Sequence, residues 1–138
     1  MPRKRRASRN IGDLFRASKS ASSLLVLFIP SVDRNGRKVD QINWVSLALA
    51  TLGRLFGGAT AYPRARGVWR DDANKGELVF DEPVVIQCYT TEELIEAHAF
   101  SLRNFLVDMG SACRQGAVGF VIDRDYLEIQ FPLREKVG

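Results

Sequence analysis

An unbroken apolar run, Leu24–Ile29 (LLVLFI), limits the folds open to this chain more than any other segment. The run has the length of a strand but not the alternation of a strand with one face in water, so both of its faces should be buried. A strand of that kind lies inside a sheet and not at its edge. The chain therefore has to build a sheet around this run and to cover that sheet.

The segments after the run predict a helix, a hairpin, a second helix and further strand material. Apolar residues recur every three or four positions in residues 40–58 and again in residues 91–116, as on the buried stripe of an amphipathic helix. Between them, residues 60–89 alternate around the turn sequence DDANKGE and indicate an antiparallel hairpin that Pro83 interrupts. This order predicts an α+β domain of the ferredoxin-like split βαβ type, with an antiparallel sheet and two helices on one of its faces.

The positive charge of the chain is concentrated at its N-terminus. Seven of the 20 basic residues but only one of the 16 acidic residues lie in the first 20 positions, so that segment carries a charge of +6 and the rest of the chain −2. Residues 1–22 are also rich in serine and poor in apolar side chains, which is typical of segments that do not fold by themselves. We therefore predict a flexible basic tail, residues 1–22, followed by a single domain over residues 23–133.

The leading functional hypothesis from the sequence is a non-catalytic protein that binds nucleic acid. A flexible arm with this charge should attract phosphates without reading bases. Arginines at every second position around Trp69 would project from one face of a regular strand, where guanidinium groups bind phosphate and an indole stacks on a base. Paired with acids of the neighbouring arm, the same arginines would form a solvated sheet face instead. The predicted nucleic-acid-binding residues are Arg3, Lys4, Arg5, Arg6, Arg9, Arg64, Arg66 and Arg70.

A second hypothesis is a protein-interaction module or a subunit of a homo-oligomer. Ile11, Leu14 and Phe15 are spaced as one apolar face of about two helical turns, which is too short to persist alone in water. These three residues should therefore dock on a partner protein or on the chain's own domain. Two helices shield only one face of a sheet, so a second copy of the chain in a homodimer is expected to cover the other face.

A third hypothesis is a small-ligand binder or enzyme that works in the cleft between sheet and helices. Its candidate groups are His98, the only histidine, and the turn acids Asp123 and Asp125, although a structural role is expected for each. Because the sequence shows no catalytic signature, it does not predict an enzyme, a cofactor or a metal site. The two cysteines, Cys88 and Cys113, are predicted to be buried free thiols.

The sequence also predicts where the protein resides. No apolar stretch approaches the roughly 18 to 20 residues of a membrane span, so we expect a soluble, cytoplasmic protein without membrane contact. The basic cluster Lys4–Arg6 and the acid-poor tail also resemble nuclear import and organelle transit signals, an interpretation that depends on a eukaryotic source.

Three groups of residues resemble an uncharacterised family of small bacterial α+β domains. They are Trp44 early in the first helix, Phe56–Thr60 (FGGAT) at the start of a strand, and Gly67–Asp71 (GVWRD), a Gly-x-Trp-Arg-Asp motif before a hairpin. The resemblance covers roughly residues 24–122 and leaves the tail unmatched. It implies the ferredoxin-like α+β fold and brings no function, because none is assigned to that family.

Overall fold

The computed structural model of the chain describes residues 11–134. A single helical turn at residues 11–14 precedes the regular elements. These elements are β1 (Ser23–Ile29), α1 (Gln41–Phe56), β2 (Thr60–Tyr62), β3 (Gly67–Asp71), a 3₁₀ turn (Asp72–Asn74), β4 (Glu77–Asp81), β5 (Val84–Thr90), α2 (Glu92–Ala97), α3 (Ala99–Ala112), β6 (Ala117–Ile122) and β7 (Asp125–Gln130).

Five strands form the main sheet in the order β2-β5-β1-β6-β7, and every neighbouring pair is antiparallel. In the middle of this sheet Val26 of β1 lies opposite Gln87 of β5 and Val121 of β6. The four neighbouring strands β2, β5, β1 and β6 have the ferredoxin-like order, and β7 extends the sheet by one strand at the β6 edge. The predicted fold class and the central position of β1 are thus confirmed.

The core lies between one face of the sheet and the helices. Alternation along β1 directs Leu25, Leu27 and Ile29 to that face, where all three are fully buried against α1 and α3 side chains such as Leu52 and Leu106. On the opposite face of β1 Val26 is buried, and Leu24 and Phe28 are half-buried. The expectation that both faces of this strand are buried is therefore correct for the helix side and holds only in part for the other.

The predicted hairpin over residues 60–89 divides into two separate pairings. β2 joins the main sheet by pairing with β5, whereas β3 and β4 pair with each other and form a two-stranded sheet of their own. The hairpin β3–β4 is therefore an insertion between the second and third strands of the ferredoxin-like core. Pro63 and Pro83 stand at the two junctions, where a residue without an N–H cannot continue a ladder.

The second predicted helix is interrupted at His98. This residue lies between α2 and α3 with non-helical backbone angles (φ −112°, ψ 17°), and its ring packs edge-on against Phe56 at the end of α1, with 5.9 Å between ring centroids. The tertiary contact thus ends one helix and starts the next inside a continuous apolar pattern. The expectation of a structural role for His98 agrees with this position.

Both cysteines are buried and free, as predicted. Burial raises the pKa of the Cys88 thiol, and burial followed by the charge of Asp40 raises the pKa of Cys113 to about 11. At neutral pH the two thiols are therefore protonated and behave as apolar core residues. Among residues 11–134, no helix is long and apolar enough to cross a membrane.

Candidate functional site

Two adjoining cavities open where β1 and β4 end and α1 begins. Their volumes are about 510 Å³ and 310 Å³, and Ser31, Val32 and Glu82 line both of them. We call the pair the outer cleft. Its combined size falls within the range of about 300 to 1,000 Å³ that is typical of small-molecule sites.

Hydrogen bonds hold the floor of the outer cleft in place. The amide and the hydroxyl of Ser31 both donate to Asp81 Oδ1, the amide at 2.8 Å, and the Glu82 amide donates to Ser31 Oγ at 2.9 Å. The buried Gln41, first residue of α1, donates through Nε2 to the carbonyl oxygens of Ile29 and Glu82, at 3.0 Å each. One amide group thereby ties the helix start to the ends of two strands, so the cleft is preformed.

The two ends of the outer cleft differ in chemistry. Val68 and Phe80, a cross-strand pair of the hairpin β3–β4, form an apolar and aromatic wall at one end. Arg66, Asp81 and Glu82 line the same cavity, so charged groups of both signs are present there too. The other end is lined by Lys38, Asp40 and Arg64 and, among the described residues, by no aromatic side chain. The cleft therefore offers an aromatic contact at one end only, with charges of both signs along its length, and suits a ligand that has an aromatic group and a zwitterionic group.

The loop that carries Lys38 is built around the buried carboxylate of Asp33. Asp33 Oδ1 accepts hydrogen bonds from the amides of Asn35 (2.8 Å) and Arg37 (2.9 Å), and Gly36 takes a positive φ of 81°. The hydrogen bond from the Arg37 amide lowers the pKa of Asp33, and burial raises this pKa by a smaller amount. The hydrogen bond from the Asn35 amide and the charges of Arg37 and Arg114 lower the pKa further. The loop geometry thus depends on an ionised Asp33.

A smaller cavity lies between the hairpin β3–β4 and the helix-free face of the main sheet. We call it the inner recess. It has a volume of about 150 Å³ and is lined by aromatic side chains (Phe28, Trp69 and Tyr126) and by the carboxylates of Asp81 and Glu128. Asp81 lines the outer cleft as well, so the two spaces meet at this residue.

Trp69 and Asp71 anchor the hairpin over the sheet. A Cβ on Gly116 would lie 3.4 Å from the Trp69 ring, so the indole packs closely on the start of β6. Asp71 is buried, with Arg34 Nη2 at 3.7 Å from its carboxylate. The inner side of the hairpin is thereby fixed to the sheet, and its outer side, with Val68, faces solvent.

The structure does not place the three predicted arginines on one strand face. Arg64 and Arg66 precede β3 and line different cavities of the outer cleft. Arg70 belongs to β3, but its Nε donates to its neighbour Asp72, and Trp69 points to the opposite side of the hairpin. No combined surface of guanidinium groups and an indole results from this arrangement.

The predicted tail residues have two outcomes. Arg3, Lys4, Arg5, Arg6 and Arg9 lie outside the described residues. The three apolar residues of the proposed docking face are described and largely exposed: Ile11 at 56%, Leu14 at 82% and Phe15 at 80%. They do not pack into the chain's own domain, and their docking on a partner stays a prediction.

The groups proposed for a catalytic cleft in the third hypothesis lie elsewhere. His98 packs against Phe56 between two helices. Asp123 accepts a hydrogen bond from the Leu24 amide at 2.9 Å and closes the β6–β7 turn against β1. Within residues 11–134, no group of three or more histidine, cysteine, aspartate or glutamate residues is arranged to hold a metal ion.

The sequence did not indicate Ser31, Tyr126 or Glu128 as site residues. It predicted base stacking for Trp69 and, as the alternative, ion pairs with the arginines for Asp81 and Glu82. One local signal was available, because Ser31 and the Asp81–Glu82 pair stand directly at strand ends beside a proline, where polar side chains are brought to a sheet edge. The approach of Trp69 to Tyr126 and Glu128 joins residues almost 60 positions apart, and no local pattern indicates it.

Comparison with known proteins finds similarity at the level of structure. No protein-family model matches this chain, and no curated protein matches its sequence, so the resemblance to Gly-x-Trp-Arg-Asp domains stays a prediction. A phage SAM lyase solved in complex with S-methyl-5'-thioadenosine superimposes with a TM-score of 0.66 at 17% identity, over 86% of this chain and 98% of that one. The lyase in its apo state gives 0.60 at 16% identity, over 86% and 96%. CutA1 from Ehrlichia chaffeensis, a divalent ion tolerance protein, gives 0.43 at 10%, over 78% and 84%.

These similarities define the class of this protein by fold, as an α+β domain of the ferredoxin-like type. They also contradict the leading hypothesis from the sequence. A non-catalytic nucleic-acid-binding protein was the wrong prediction, because a solved structure that superimposes over 86% of this chain is an enzyme in complex with S-methyl-5'-thioadenosine. The small-ligand alternative agrees better with this finding, although the residues named for it do not line the cleft.

Proposed function

We propose that this protein is an enzyme of the SAM-lyase type, which binds S-adenosylmethionine in the outer cleft and releases S-methyl-5'-thioadenosine. The observation that carries the proposal is the lining of the cleft, with an aromatic and apolar wall at one end only and charged side chains of both signs at both ends. The fold that the chain shares with a phage SAM lyase supports it.

The two ends of the cleft match the two ends of this substrate. The adenine ring lies against Phe80 and Val68, since an aromatic face and a branched side chain provide a flat apolar contact. The carboxylate of the methionine group pairs with Arg64 or Lys38, and its ammonium group pairs with Asp40 or Glu82. Both ends have to bind for the sulfonium centre to be held in the middle.

The reaction needs no second substrate. The bond between the sulfonium sulfur and the γ-carbon of the methionine group breaks, and its electron pair stays on sulfur. A carboxylate oxygen of the same amino-acid fragment forms a bond to that carbon and closes a five-membered lactone, so no proton or further reactant is needed. Positive charge on sulfur disappears in this step. The residues of the cleft thus act by binding the substrate and by orienting its reacting groups.

The direct test is to incubate the purified protein with S-adenosylmethionine and to measure S-methyl-5'-thioadenosine by chromatography. We expect the product to accumulate in proportion to enzyme concentration. Arg64→Ala should raise KM about tenfold, which corresponds to about 1.4 kcal/mol for the loss of one charged contact at an exposed position, with a smaller effect on kcat. The matched control is Arg124→Ala, an exposed arginine on the β6–β7 turn outside the cleft, which should leave both constants unchanged. Absence of product from wild-type protein that remains folded would refute the proposal.

A further inference from the structure

The inner recess collects aromatic rings and carboxylates in one small cavity. We propose that it binds an onium cation, that is, a sulfonium or quaternary ammonium group. The inference goes beyond the proposed function, since it concerns recognition of a charge type and does not require a lyase reaction. Three observations carry it: the charge of the recess, its rings and its size.

The lining of the recess is acidic, and the Arg34 guanidinium lies beside it at Gly116, next to the Trp69 ring. Asp81 and Glu128 line the cavity, and no lysine or arginine does. The ion pairs found among residues 11–134 join Arg34 to Asp71 and Arg70 to Asp72, and neither involves the recess carboxylates. A cation bound in the recess would be attracted by the charges of both carboxylates.

The rings make this site suited to an onium group in particular. Phe28, Trp69 and Tyr126 line the recess, and ring faces attract a cation that has no N–H to donate. Two of the acidic oxygens already accept hydrogen bonds from the protein, Asp81 Oδ1 from Ser31 and Glu128 Oε2 from the Tyr126 hydroxyl at 3.0 Å. A lysine-like ammonium would compete for these acceptors, whereas an onium group needs only their field.

The position of the Tyr126 ring is built into the backbone. A Cβ on Gly119 would overlap the Tyr126 hydroxyl. The Tyr126 ring therefore lies across β6 at Gly119, where only glycine, which has no Cβ, leaves room for it. Burial, and then the hydrogen bond and charge of Glu128, raise the pKa of Tyr126 to about 12. The phenol therefore stays protonated at neutral pH and keeps Glu128 at the recess.

The size of the recess limits what it holds. Its volume of about 150 Å³ is below the range of about 300 to 1,000 Å³ that encloses drug-sized ligands, so it accepts a head group and not a whole nucleoside. Two sources would supply such a group: the sulfonium of an adenosylated substrate that reaches in past Asp81, or a separate quaternary ammonium compound.

The test uses Trp69 as the reporter. The chain has two tryptophans, and Trp44 packs edge-on against Phe105, outside the recess. In the full-length Trp44→Phe variant, Trp69 is the only tryptophan, and its fluorescence is titrated with choline and with 3,3-dimethylbutan-1-ol, the neutral isostere of choline. We expect choline to bind at least about fivefold more tightly, which corresponds to the roughly 1 kcal/mol that a partly exposed cation–π contact provides. Calorimetry on wild-type protein repeats the comparison without a substitution.

Charge variants separate onium recognition from simple apolar contact. Glu128→Gln should weaken choline binding at least about threefold and leave the isostere unaffected. Glu77→Gln is the matched control, since Glu77 is an exposed acid of β4 outside the recess and should leave choline binding unchanged. Equal binding of choline and its isostere, no saturable change with either compound, or a Glu128→Gln variant that binds choline as wild type does would each overturn the inference.

Competition then identifies the source of the onium group. If S-adenosylmethionine displaces choline and neutral S-methyl-5'-thioadenosine does not, the recess holds the substrate sulfonium. If S-adenosylmethionine binds without displacing choline, the recess serves a separate quaternary ammonium compound. Choline binding without lyase activity refutes only the proposed function, and lyase activity without choline binding refutes only this inference.

Discussion

Replacement of Gly110 by alanine tests how closely α3 packs on the sheet. Gly110 is buried in α3, and a Cβ there would overlap the ring of Phe131, just beyond β7, and would lie 2.7 Å from Val118 Cγ2 on β6. Phe131 packs against the core, and its amide donates to the Gly116 carbonyl oxygen at 3.0 Å. Val118 lies on a strand inside the sheet, so the added methyl group has no free space on either side.

The expected free-energy change has two opposing parts. Alanine is a better helix former than glycine by about 1 kcal/mol, whereas overpacking of a core costs about 1 to 3 kcal/mol. Because the nearest contacts are far inside van der Waals distance, we expect the upper end of that cost and a net loss of about 2 kcal/mol. In a domain of this size such a loss lowers Tm by roughly 6 to 10 °C.

Gly53 supplies the matched control. It lies in α1, is exposed, and a Cβ there would meet nothing within 4 Å. Gly53→Ala should therefore gain up to about 1 kcal/mol from helix propensity alone. Urea and thermal unfolding of both variants, followed by circular dichroism, measure the difference. If Gly110→Ala is as stable as wild type, or if the two variants shift in the same direction, the close packing of α3 on β6 is refuted.

Three further predictions follow from the described residues. Asp33→Asn should lower the free energy of unfolding at pH 7. Because the pKa of Asp33 is lowered in the folded state, the stability difference between the variant and wild type should shrink as pH falls from about 4 towards 2. Urea midpoints of both proteins over this pH range measure that difference. Removal of residues 1–20 should leave a folded domain that loses less than about 2 kcal/mol of unfolding free energy; a larger loss would place the segment in the fold. The helix-free sheet face, with Tyr62, Tyr89 and Tyr126 exposed, should be covered by a second copy; a monomer without concentration dependence in sedimentation at tens of micromolar would exclude this.

Most of the fold could be predicted from the sequence because its determinants are local. The step of three and four in residues 41–56, between the cap of Asp40 and the αL glycine Gly57, is sufficient for α1. The prediction was less accurate where tertiary contact competes with pattern, as at His98, whose packing on Phe56 divides one apolar stripe into two helices.

The candidate site was hardly predictable, for a related reason. The alternating pattern predicts Arg64, Arg66 and Arg70 on one face of a single strand. In the structure β2 ends before Pro63 and pairs with β5, and β3 begins only at Gly67, so Arg64 and Arg66 belong to neither strand. The three side chains then separate, one into each cavity of the outer cleft and one onto Asp72. Strand register, which the local sequence does not specify here, decides this outcome.

The sequence by itself determined the order of elements, the central strand and the helices, since periodicity and capping act over a few residues. Only the tertiary structure decided that the hairpin β3–β4 leaves the main sheet, that Trp69 packs on Gly116, and that Asp81 stands between two cavities. Those features come from contacts between residues distant in the chain, whose free energy depends on the packing of the whole domain and leaves no period in the sequence.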